Sequence, residues 1–325
     1  MKATAVAPSN IAFIKYWGKK DEVLRLPENG SISMNLSNLL TTTTVEFDKS
    51  FKDDSVTLNG KKESLENNRA IKHIDRIRKL AKITTKVKIV TENNFPTGTG
   101  LSSSASGFAA LTIAGAAAAG LKLTKKELSI LARQGSGSAC RSIPDGFVEW
   151  IDGDTSDTSY AVSLYKPDYW DIVDVVAVVN VGPKDVATSE GMKLAVSSPF
   201  FQIRRSHIQK KIKTIKKFMK QKDFSAFGEL VEAEALELHA IMLTSTPSLI
   251  YWLPGTVRIM RTIKKWWSEG LPVYFTVNTG QDIHLLCEKK NAEKVVSLVS
   301  KVEGVQKTIV NYPCEGAHLV EKHLF

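Results

Sequence analysis

The spacing of apolar residues along the first half of the chain changes repeatedly between a strand period and a helix period. Apolar and threonine side chains two residues apart predict strands, at 2–16, 31–47, 85–91 and within 147–180. The first strand is interrupted at Pro8, and a break near Asn38 makes the second a pair of strands. Apolar side chains three or four residues apart predict helices, at 64–82, from Ser103 to Gly120 and after a capping box that begins at Thr124. This alternation is typical of an α/β protein.

The second half of the chain has a different order of elements, with long helices first and strands near the end. Helices are predicted at 200–221, 224–246, 255–269 and 291–301, and strands at 272–278, 283–287 and near 307–311. The composition shifts near 183–198, which indicates a boundary between two units. We therefore predict an N-terminal domain over residues 1–185 and a C-terminal domain over residues 186–325.

One loop, which leads from the strand at 85–91 into the helix at Ser103, has the composition of an anion-binding site. It reads NNFPTGTGLSSSASG over residues 93–107, and its proline and first two glycines permit turns but disfavour regular structure. The start of the helix offers unpaired backbone N–H groups and a positive dipole end, which together favour phosphate. No lysine follows the glycines, so the loop is not of the G-x-x-x-x-G-K-[ST] type. A flexible connector in front of an alanine-rich core helix explains the same residues equally well.

Two further segments carry polar side chains suited to an anion. In KYWGKK, over residues 15–20, Tyr16 and Lys19 either face a bound anion or end a strand whose lysines reach into solvent. The segment QGSGSACRS, over residues 134–142, offers two hydroxyls and a guanidinium to an oxyanion. Its donors are Ser136, Ser138 and Arg141. The same segment could instead pack small residues against the first anion site, and the two sites could be one.

Composition is that of an ordinary globular protein, with 43% hydrophobic and 24% charged residues among 325. No apolar run is long enough to span a membrane, and the first residues lack the features of a signal peptide. The three cysteines form no C-x-x-C pair, and their odd number argues against a disulfide framework. We therefore expect a cytoplasmic protein that has no membrane segment.

The net charge of +10 raises the question of a nucleic-acid partner. In the segment 204–223, however, the lysines alternate with apolar residues at helical spacing, which favours the solvated face of an amphipathic helix. A basic surface also attracts small substrates that carry several phosphate charges. We expect small-molecule partners and no nucleic acid.

Taken together, the motifs resemble those of a known enzyme family. PTGTGLSSSASG is similar to the phosphate-binding motif of the GHMP small-molecule kinases. With KYWGK, GSGSACRS and SEGM, the chain resembles the mevalonate (di)phosphate decarboxylase branch of that superfamily, from APSNIAFIKYWGK to the final strand. The resemblance implies a two-lobed α/β fold with the active site in the cleft between the lobes. It also implies Mg²⁺ and ATP, a phosphorylated mevalonate as substrate, and a homodimer, although the residues themselves do not fix the oligomeric state.

In that family the 3-hydroxyl of a 5-phosphorylated mevalonate is phosphorylated, and phosphate and carbon dioxide then leave to give an isopentenyl phosphate. The resemblance implies that the ATP phosphates contact Asn94, Gly98, Thr99, Gly100, Leu101, Ser102, Ser103 and Ser104. Ser103 is also the candidate magnesium ligand. The implied substrate-binding residues are Tyr16 and Lys19 at the 5-phosphate, Ser136, Ser138 and Arg141, with Arg141 on the carboxylate, and Met192. The implied catalytic set is Lys19, Ser104, Arg141 and Asn278.

Asn278 departs from the family pattern. The family carries an aspartate at this position and an asparagine four residues later, whereas this chain reads NTGQD over residues 278–282. An amide cannot accept the 3-hydroxyl proton, and it lacks the charge that would crowd a substrate carboxylate. Either the carboxylate is missing, or Asp282 supplies it.

The resemblance leaves the exact activity open. The resemblance implies action on mevalonate 5-diphosphate, with the 5-monophosphate as an alternative, because the cations of the motifs do not distinguish one phosphate from two. A kinase that phosphorylates the 3-hydroxyl and stops there is an alternative, and so is a non-enzymatic, RNA-binding or regulatory descendant of the fold. The serines and Arg141 favour the enzyme.

Overall fold

The computed structural model describes residues 1–96, 100–180, 182 and 184–325. The strands are β1 (Lys2–Ile14), β2 (Lys19–Asp21), β3 (Leu26–Pro27), β4 (Ser31–Phe47), β5 (Ser55–Leu58), β6 (Lys61–Lys62), β7 (Val87–Asn93), β8 (Phe147–Trp150), β9 (Ala161–Tyr165), β10 (Ile172–Val178), β11 (Val273–Thr276), β12 (Ile283–Glu288), β13 (Lys307–Asn311) and β14 (His318–Val320). The helices are α1 (Arg69–Ala81), α2 (Ser103–Ala118), α3 (Lys125–Gly135), α4 (Thr188–Lys193), α5 (Phe201–Gln221), α6 (Phe224–Thr244), α7 (Pro254–Ser268) and α8 (Ala292–Val299). The predicted helices are confirmed, including the capping box between Thr124 and Glu127.

The first sheet is built around β1 and β4, which pair antiparallel over almost their whole lengths. Its order is β14-β1-β4-β7-β5-β6, and β8 and β9 extend it from β4. The predicted breaks at Pro8 and Asn38 are wrong as strand ends, because both strands continue through a shift of register between Pro8 and Ser9. A bulge of this kind absorbs a proline, which cannot donate to the ladder. Asn38 lies in the bulge, and its Nδ2 donates to the Val310 carbonyl of β13 at 2.6 Å.

The second sheet is antiparallel, with the order β11-β12-β10-β13. Its strand β10 precedes residue 185, and the late strand β14 belongs to the first sheet through pairs such as Thr4 with Val320. Each sheet therefore contains strands from both sides of the predicted boundary at residue 185. Which sheet a strand joins depends on pairing with distant residues, and local composition carries no information about that pairing.

Apolar helix faces cover both sheets. α1, α2 and α3 pack on the first sheet, α7 and α8 pack on the second, and α5 and α6 bury side chains with strands of both. α2 is apolar on nearly all sides, because it lies between the sheet and its neighbouring helices. This burial holds the start of α2 in a fixed place. Within the residues the structure describes, no helix is long and apolar enough to cross a membrane.

Candidate active site

A cleft of about 370 Å³ lies where the start of α2, the end of β1, the 3₁₀ helix Gly137–Ser142, the start of α4 and the turn after β11 meet. Its described lining is Ala12, Lys15, Tyr16, Lys19, Arg25, Arg69, Gly100, Ser102, Ser103, Ser104, Ser136, Gly137, Ser138, Arg141, Lys184, Ala187, Thr188, Ser189, Met192, Leu238, Asn278 and Thr279. Six of these residues are lysine or arginine and none is aspartate or glutamate. Such a cleft attracts anions with several charges.

The predicted phosphate loop lies on one wall of this cleft. Gly100 has φ +109°, and a Cβ there would lie 2.2 Å from the Cα of Gly280, so only glycine fits where the two loops touch. Ser102 is left-handed (φ 59°) and makes no side-chain cap to α2, which leaves the first N–H groups of the helix without that partner. Ser103 and Ser104 stand on the first turn. The predicted ligands Gly98 and Thr99 lie outside the described residues.

Two predicted phosphate ligands do not line the cleft. The Oδ1 of Asn94 accepts a hydrogen bond from the backbone N–H of Leu40 at 2.8 Å, so this side chain extends the strand pairing. Leu101 is 2% exposed and packs in the core, and its carbonyl accepts from the Ser9 hydroxyl at 2.6 Å. Asn94 follows a strand and Leu101 precedes a helix, and both have structural roles there. Their closeness to the loop in sequence does not distinguish such roles from phosphate binding.

The second predicted anion segment faces the first across the cleft, so the two sites are one. Ser136 donates its hydroxyl to the Ser104 hydroxyl at 3.3 Å. The guanidinium of Arg141 is 3% exposed, and it donates to the Ser31 hydroxyl at 2.7 Å and to the Asn10 Oδ1 at 3.0 Å. Its Nε has no hydrogen-bond partner. Burial lowers the pKa of Arg141 from its ordinary value.

Arg141 is therefore a buried cation without an anion. Within the described part of the chain no carboxylate pairs with it, and its partners Ser31 and Asn10 are neutral. A buried charge is stable when it is paired and hydrogen-bonded. A ligand carboxylate or phosphate would supply the missing partner.

Tyr16, Lys19 and Met192 line the same cleft. The Tyr16 ring packs edge-on against Trp150 with centroids 4.6 Å apart, and its buried hydroxyl has no hydrogen-bond partner. Burial raises the pKa of Tyr16, so the phenol stays protonated and can donate. Gly137 is required here, because a Cβ would lie 2.8 Å from the Tyr16 hydroxyl oxygen. The Nζ of Lys19 pairs with the exposed Glu22 at 2.6 Å.

Asn278 and Asp282 take different places. The Nδ2 of Asn278 donates to the Ser102 hydroxyl at 3.1 Å, which joins the second sheet to the phosphate loop. Asp282 is 2% exposed and does not line the cleft; its Oδ1 accepts from the backbone N–H of Val179 at 2.9 Å. The alternative that Asp282 supplies the catalytic carboxylate is not supported by this placement.

Sequence reasoning missed four cations of the cleft: Lys15, Arg25, Arg69 and Lys184. Arg25 donates to the Gln134 carbonyl at 3.1 Å and Arg69 to the Gly135 carbonyl at 3.1 Å, at the end of α3. Lys184 donates to the hydroxyls of Thr188 and Thr279, and burial lowers its pKa to about 8. Of these four cations, only Lys15 belongs to a segment that the sequence analysis identified as a candidate anion site, because it is the first residue of KYWGKK.

The residues fit a magnesium ion that arrives with phosphates better than one held by the protein alone. The described residues contain no group of three or more histidine, cysteine, aspartate or glutamate side chains that could hold a metal ion. Magnesium at phosphate sites keeps few protein ligands and takes phosphate oxygens and water for the rest. Ser103, with its hydroxyl at the cleft, is compatible with such a role.

Comparison with known proteins gives matches over nearly the whole chain. Residues 7–161 match the family model of the diphosphomevalonate decarboxylase-like N-terminal domain, and residues 174–322 match that of the mevalonate 5-diphosphate decarboxylase C-terminal domain. The chain is 38% identical over 320 residues to the diphosphomevalonate decarboxylase of Candida albicans (93% of this chain, 88% of the relative). It is 33% identical over 302 residues to the phosphomevalonate decarboxylase of Haloferax volcanii (92% of each).

Solved structures agree with these matches. The fold is similar to that of mevalonate diphosphate decarboxylase from Staphylococcus aureus, with a TM-score of 0.93, 38% identity and 98% of each chain covered. It is equally similar (TM-score 0.93, 36% identity, 99% of each chain) to a structure determined in complex with MVAPP, AMPPCP and magnesium. The two-lobed α/β fold that the motifs imply is confirmed.

Proposed function

This chain belongs to the diphosphomevalonate decarboxylase family, and we propose that it catalyses the ATP-dependent decarboxylation of mevalonate 5-diphosphate to isopentenyl diphosphate. One observation carries the proposal: the cleft is lined by six cations and no carboxylate among its described residues. ATP and a diphosphorylated hydroxy acid together bring many negative charges, and such a lining neutralises them. The family membership supplies the identity of the two anions.

Different walls of the cleft bind the two substrates. The start of α2, with Ser103 and Ser104, offers backbone N–H groups and hydroxyls to the ATP phosphates. Arg141, whose guanidinium has no carboxylate partner among the described residues, pairs with the substrate carboxylate, and Ser136 and Ser138 hold the substrate beside it. Ser103 would be the protein ligand of a magnesium ion bound with ATP, and that ion would neutralise charge on the transferred phosphoryl group. The chain positions the 3-hydroxyl for in-line attack on the γ-phosphorus of ATP, which releases ADP. Phosphate and carbon dioxide then leave the 3-phosphorylated intermediate to give isopentenyl diphosphate.

The test is to incubate the protein with Mg²⁺, ATP and mevalonate 5-diphosphate or mevalonate 5-phosphate, and to identify the products. We expect ADP, phosphate, carbon dioxide and isopentenyl diphosphate from the diphosphate. ADP without carbon dioxide would instead identify a 3-kinase, an alternative that the amide of Asn278 favours. Neither product from either substrate would overturn the proposal.

Arg25 and Arg69 favour the diphosphate over the monophosphate. Both residues line the cleft and donate to backbone carbonyls, and neither pairs with a carboxylate in the described chain. We expect Arg25→Gln to raise KM for the diphosphate by about 10-fold, because one charge-assisted hydrogen bond is worth about 1.5–3 kcal/mol. For the monophosphate the rise should stay within about threefold.

Steady-state kinetics with both substrates measure this difference, and Arg261→Gln on the exposed face of α7 is the matched control. An equal rise of KM for both substrates would mean that Arg25 does not contact the terminal phosphate. The cytoplasmic location, the homodimer and the absence of a nucleic-acid partner stay predictions. Size-exclusion chromatography with light scattering and salt-dependent RNA binding test the last two.

A further inference from the structure

Arg133, near the end of α3, is a buried cation that does not line the cleft. It is 0% exposed, and each nitrogen of its guanidinium donates a hydrogen bond. The Nε donates to the Leu24 carbonyl at 3.0 Å, the Nη2 donates to the Ser156 hydroxyl at 2.8 Å, and the Nη1 donates to the carbonyls of Ser156 and Ser159. All of these acceptors are neutral. Arg133 therefore ties two separate loops to α3.

The first of these loops joins β2 to β3, and it is held at Leu24 from two sides. The Leu24 N–H donates to the Oδ1 of Asp21, the last residue of β2, at 2.7 Å. The Leu24 carbonyl, which belongs to the peptide group shared with Arg25, accepts from Arg133. Both polar backbone groups of Leu24 are therefore fixed, and the second bond sets the orientation of the peptide at Arg25.

Arg25 has a backbone conformation that its surroundings must impose. Its φ is 53°, in the left-handed region, which is uncommon and unfavourable for residues other than glycine. The Nε of its side chain donates to the Gln134 carbonyl at 3.1 Å, and the residue lines the cleft. In the described part of the chain no acceptor binds its two terminal nitrogens. The loop thus holds an arginine at the cleft with donors left for a ligand.

Arg25 lies close enough to Tyr16 to affect its ionisation. Burial raises the pKa of Tyr16, and Arg25 is the charged group that opposes this rise most strongly. Tyr16 also lines the cleft, and its buried hydroxyl has no hydrogen-bond partner. The Tyr16 hydroxyl and the terminal nitrogens of Arg25 therefore form one group of donors at the cleft.

We propose that Arg133 is a positioning residue for substrate binding: through Leu24 it holds the β2–β3 loop so that Arg25 presents its terminal nitrogens to the phosphates of mevalonate 5-diphosphate. The inference rests on the proposed function and names a determinant of its substrate affinity. Donors that are fixed before binding lose less conformational entropy when the ligand arrives. Arg133 lies outside the cleft lining, so it acts on the substrate only through the residues that it holds.

A second route from Arg133 to the cleft has to be separated from the first. The Ser159 hydroxyl accepts from the Trp150 Nε1 at 3.0 Å, and the Trp150 ring packs against Tyr16 with centroids 4.6 Å apart. Loss of the Arg133 bonds to this second loop would disturb Tyr16 without involving Arg25. The two routes can be distinguished, because only the first needs the side chain of Arg25.

Isothermal titration with mevalonate 5-diphosphate, on the four proteins of a double-mutant cycle, tests the proposal. Arg133→Lys should raise Kd by about three- to tenfold, because an ammonium group cannot hold both loops at once. In an Arg25→Gln background the same substitution should change Kd by less than about twofold, because the side chain that it positions is already absent. The kcat of Arg133→Lys should stay within about threefold of normal, since substrate binding is the affected step.

Asp21 tests the same loop without a change in the core. Asp21→Ala removes the acceptor of the Leu24 N–H and one negative charge, whereas Asp21→Asn removes the charge and keeps an oxygen that can accept. We expect Kd to rise by about three- to fivefold in Asp21→Ala and to stay within about 1.5-fold in Asp21→Asn. This comparison assigns the effect to the hydrogen bond that holds the loop rather than to the charge.

Arg261→Lys on the exposed face of α7 is the control for the substitution in α3, and the unfolding temperature of each variant reports whether it folds. An equal rise of Kd for Arg133→Lys with and without Arg25 would overturn the proposal, because the effect would then not depend on Arg25. So would equal Kd values for Asp21→Ala and Asp21→Asn, a comparison that decides the question if Arg133→Lys does not fold.

The products are analysed separately, so the two proposals can fail independently. If the unmodified protein binds mevalonate 5-diphosphate and forms no ADP, the proposed function is overturned, and the pattern of Kd values still decides the role of Arg133. If the unmodified protein does not bind mevalonate 5-diphosphate, both proposals are overturned.

Discussion

Replacing Asn278 with aspartate should raise carbon dioxide release by about 10²–10³-fold, with little change in the KM of the substrate. After phosphoryl transfer, a carbocation-like centre must form at C3 while the carboxylate leaves. A carboxylate at position 278 would stabilise that positive charge and destabilise the neighbouring substrate carboxylate. The amide keeps the shape and loses the charge, so the unmodified protein should form ADP faster than carbon dioxide. Rapid quench with both products measured compares the two rates.

The control is Asn67→Asp, which adds the same charge at an exposed position. Equal rates of carbon dioxide release before and after Asn278→Asp would show that the charge is not limiting. A second contrary result is fast carbon dioxide release by the unmodified protein, together with loss of that release in the Asp282→Asn variant. That outcome would make Asp282 the catalytic carboxylate, although it caps the amides of Val179 and Asn180 in this structure.

Replacing Arg141 with lysine should lower kcat/KM by about 100-fold or more, because leaving a buried charge partner unmatched costs about 2–5 kcal/mol. The arginine lines the cleft and donates to Ser31 and Asn10 from its two terminal nitrogens, while its buried Nε has no hydrogen-bond partner. An ammonium group is a point charge that cannot make these planar contacts together. Steady-state kinetics and isothermal titration with the substrate measure the loss.

The matched control is Arg261→Lys on the exposed face of α7, and the unfolding temperature of both variants separates a site effect from a fold effect. If Arg141→Lys retains near-normal turnover and a normal unfolding temperature, the guanidinium is not the carboxylate clamp. The carboxylate would then have to contact another cation of the cleft.

Local patterns predicted the elements well, because strand and helix periods and caps depend on neighbours in sequence. The capping box at Thr124 and the start of α2 at Ser103 are examples. The bulge at Pro8 was read as an interruption, since a proline in a ladder and a proline at a strand end look alike without the partner strand. The same limit applies to β10, whose sheet is decided by pairing with residues more than a hundred positions away.

The site was predicted where a motif brings its donors together, as in Ser136, Ser138 and Arg141. It was missed where the donors come from distant segments. Arg25 and Arg69 meet only because both reach the carbonyls that end α3. Lys15 was passed over in favour of Tyr16, since its contact with Asn278 spans 263 positions and becomes visible only when β1 and the second sheet lie side by side.

The strand β14 affects the way in which the protein is made. It pairs with β1, so the first sheet combines strands from early and late in the chain, with the whole of the second sheet encoded between them. During translation, one edge of β1 therefore has no partner strand until residues 318–320 have been synthesised, after β10 to β13. An unpaired strand edge can pair with another chain and promote aggregation. The nascent chain thus passes through an interval in which the first sheet has an exposed edge at β1.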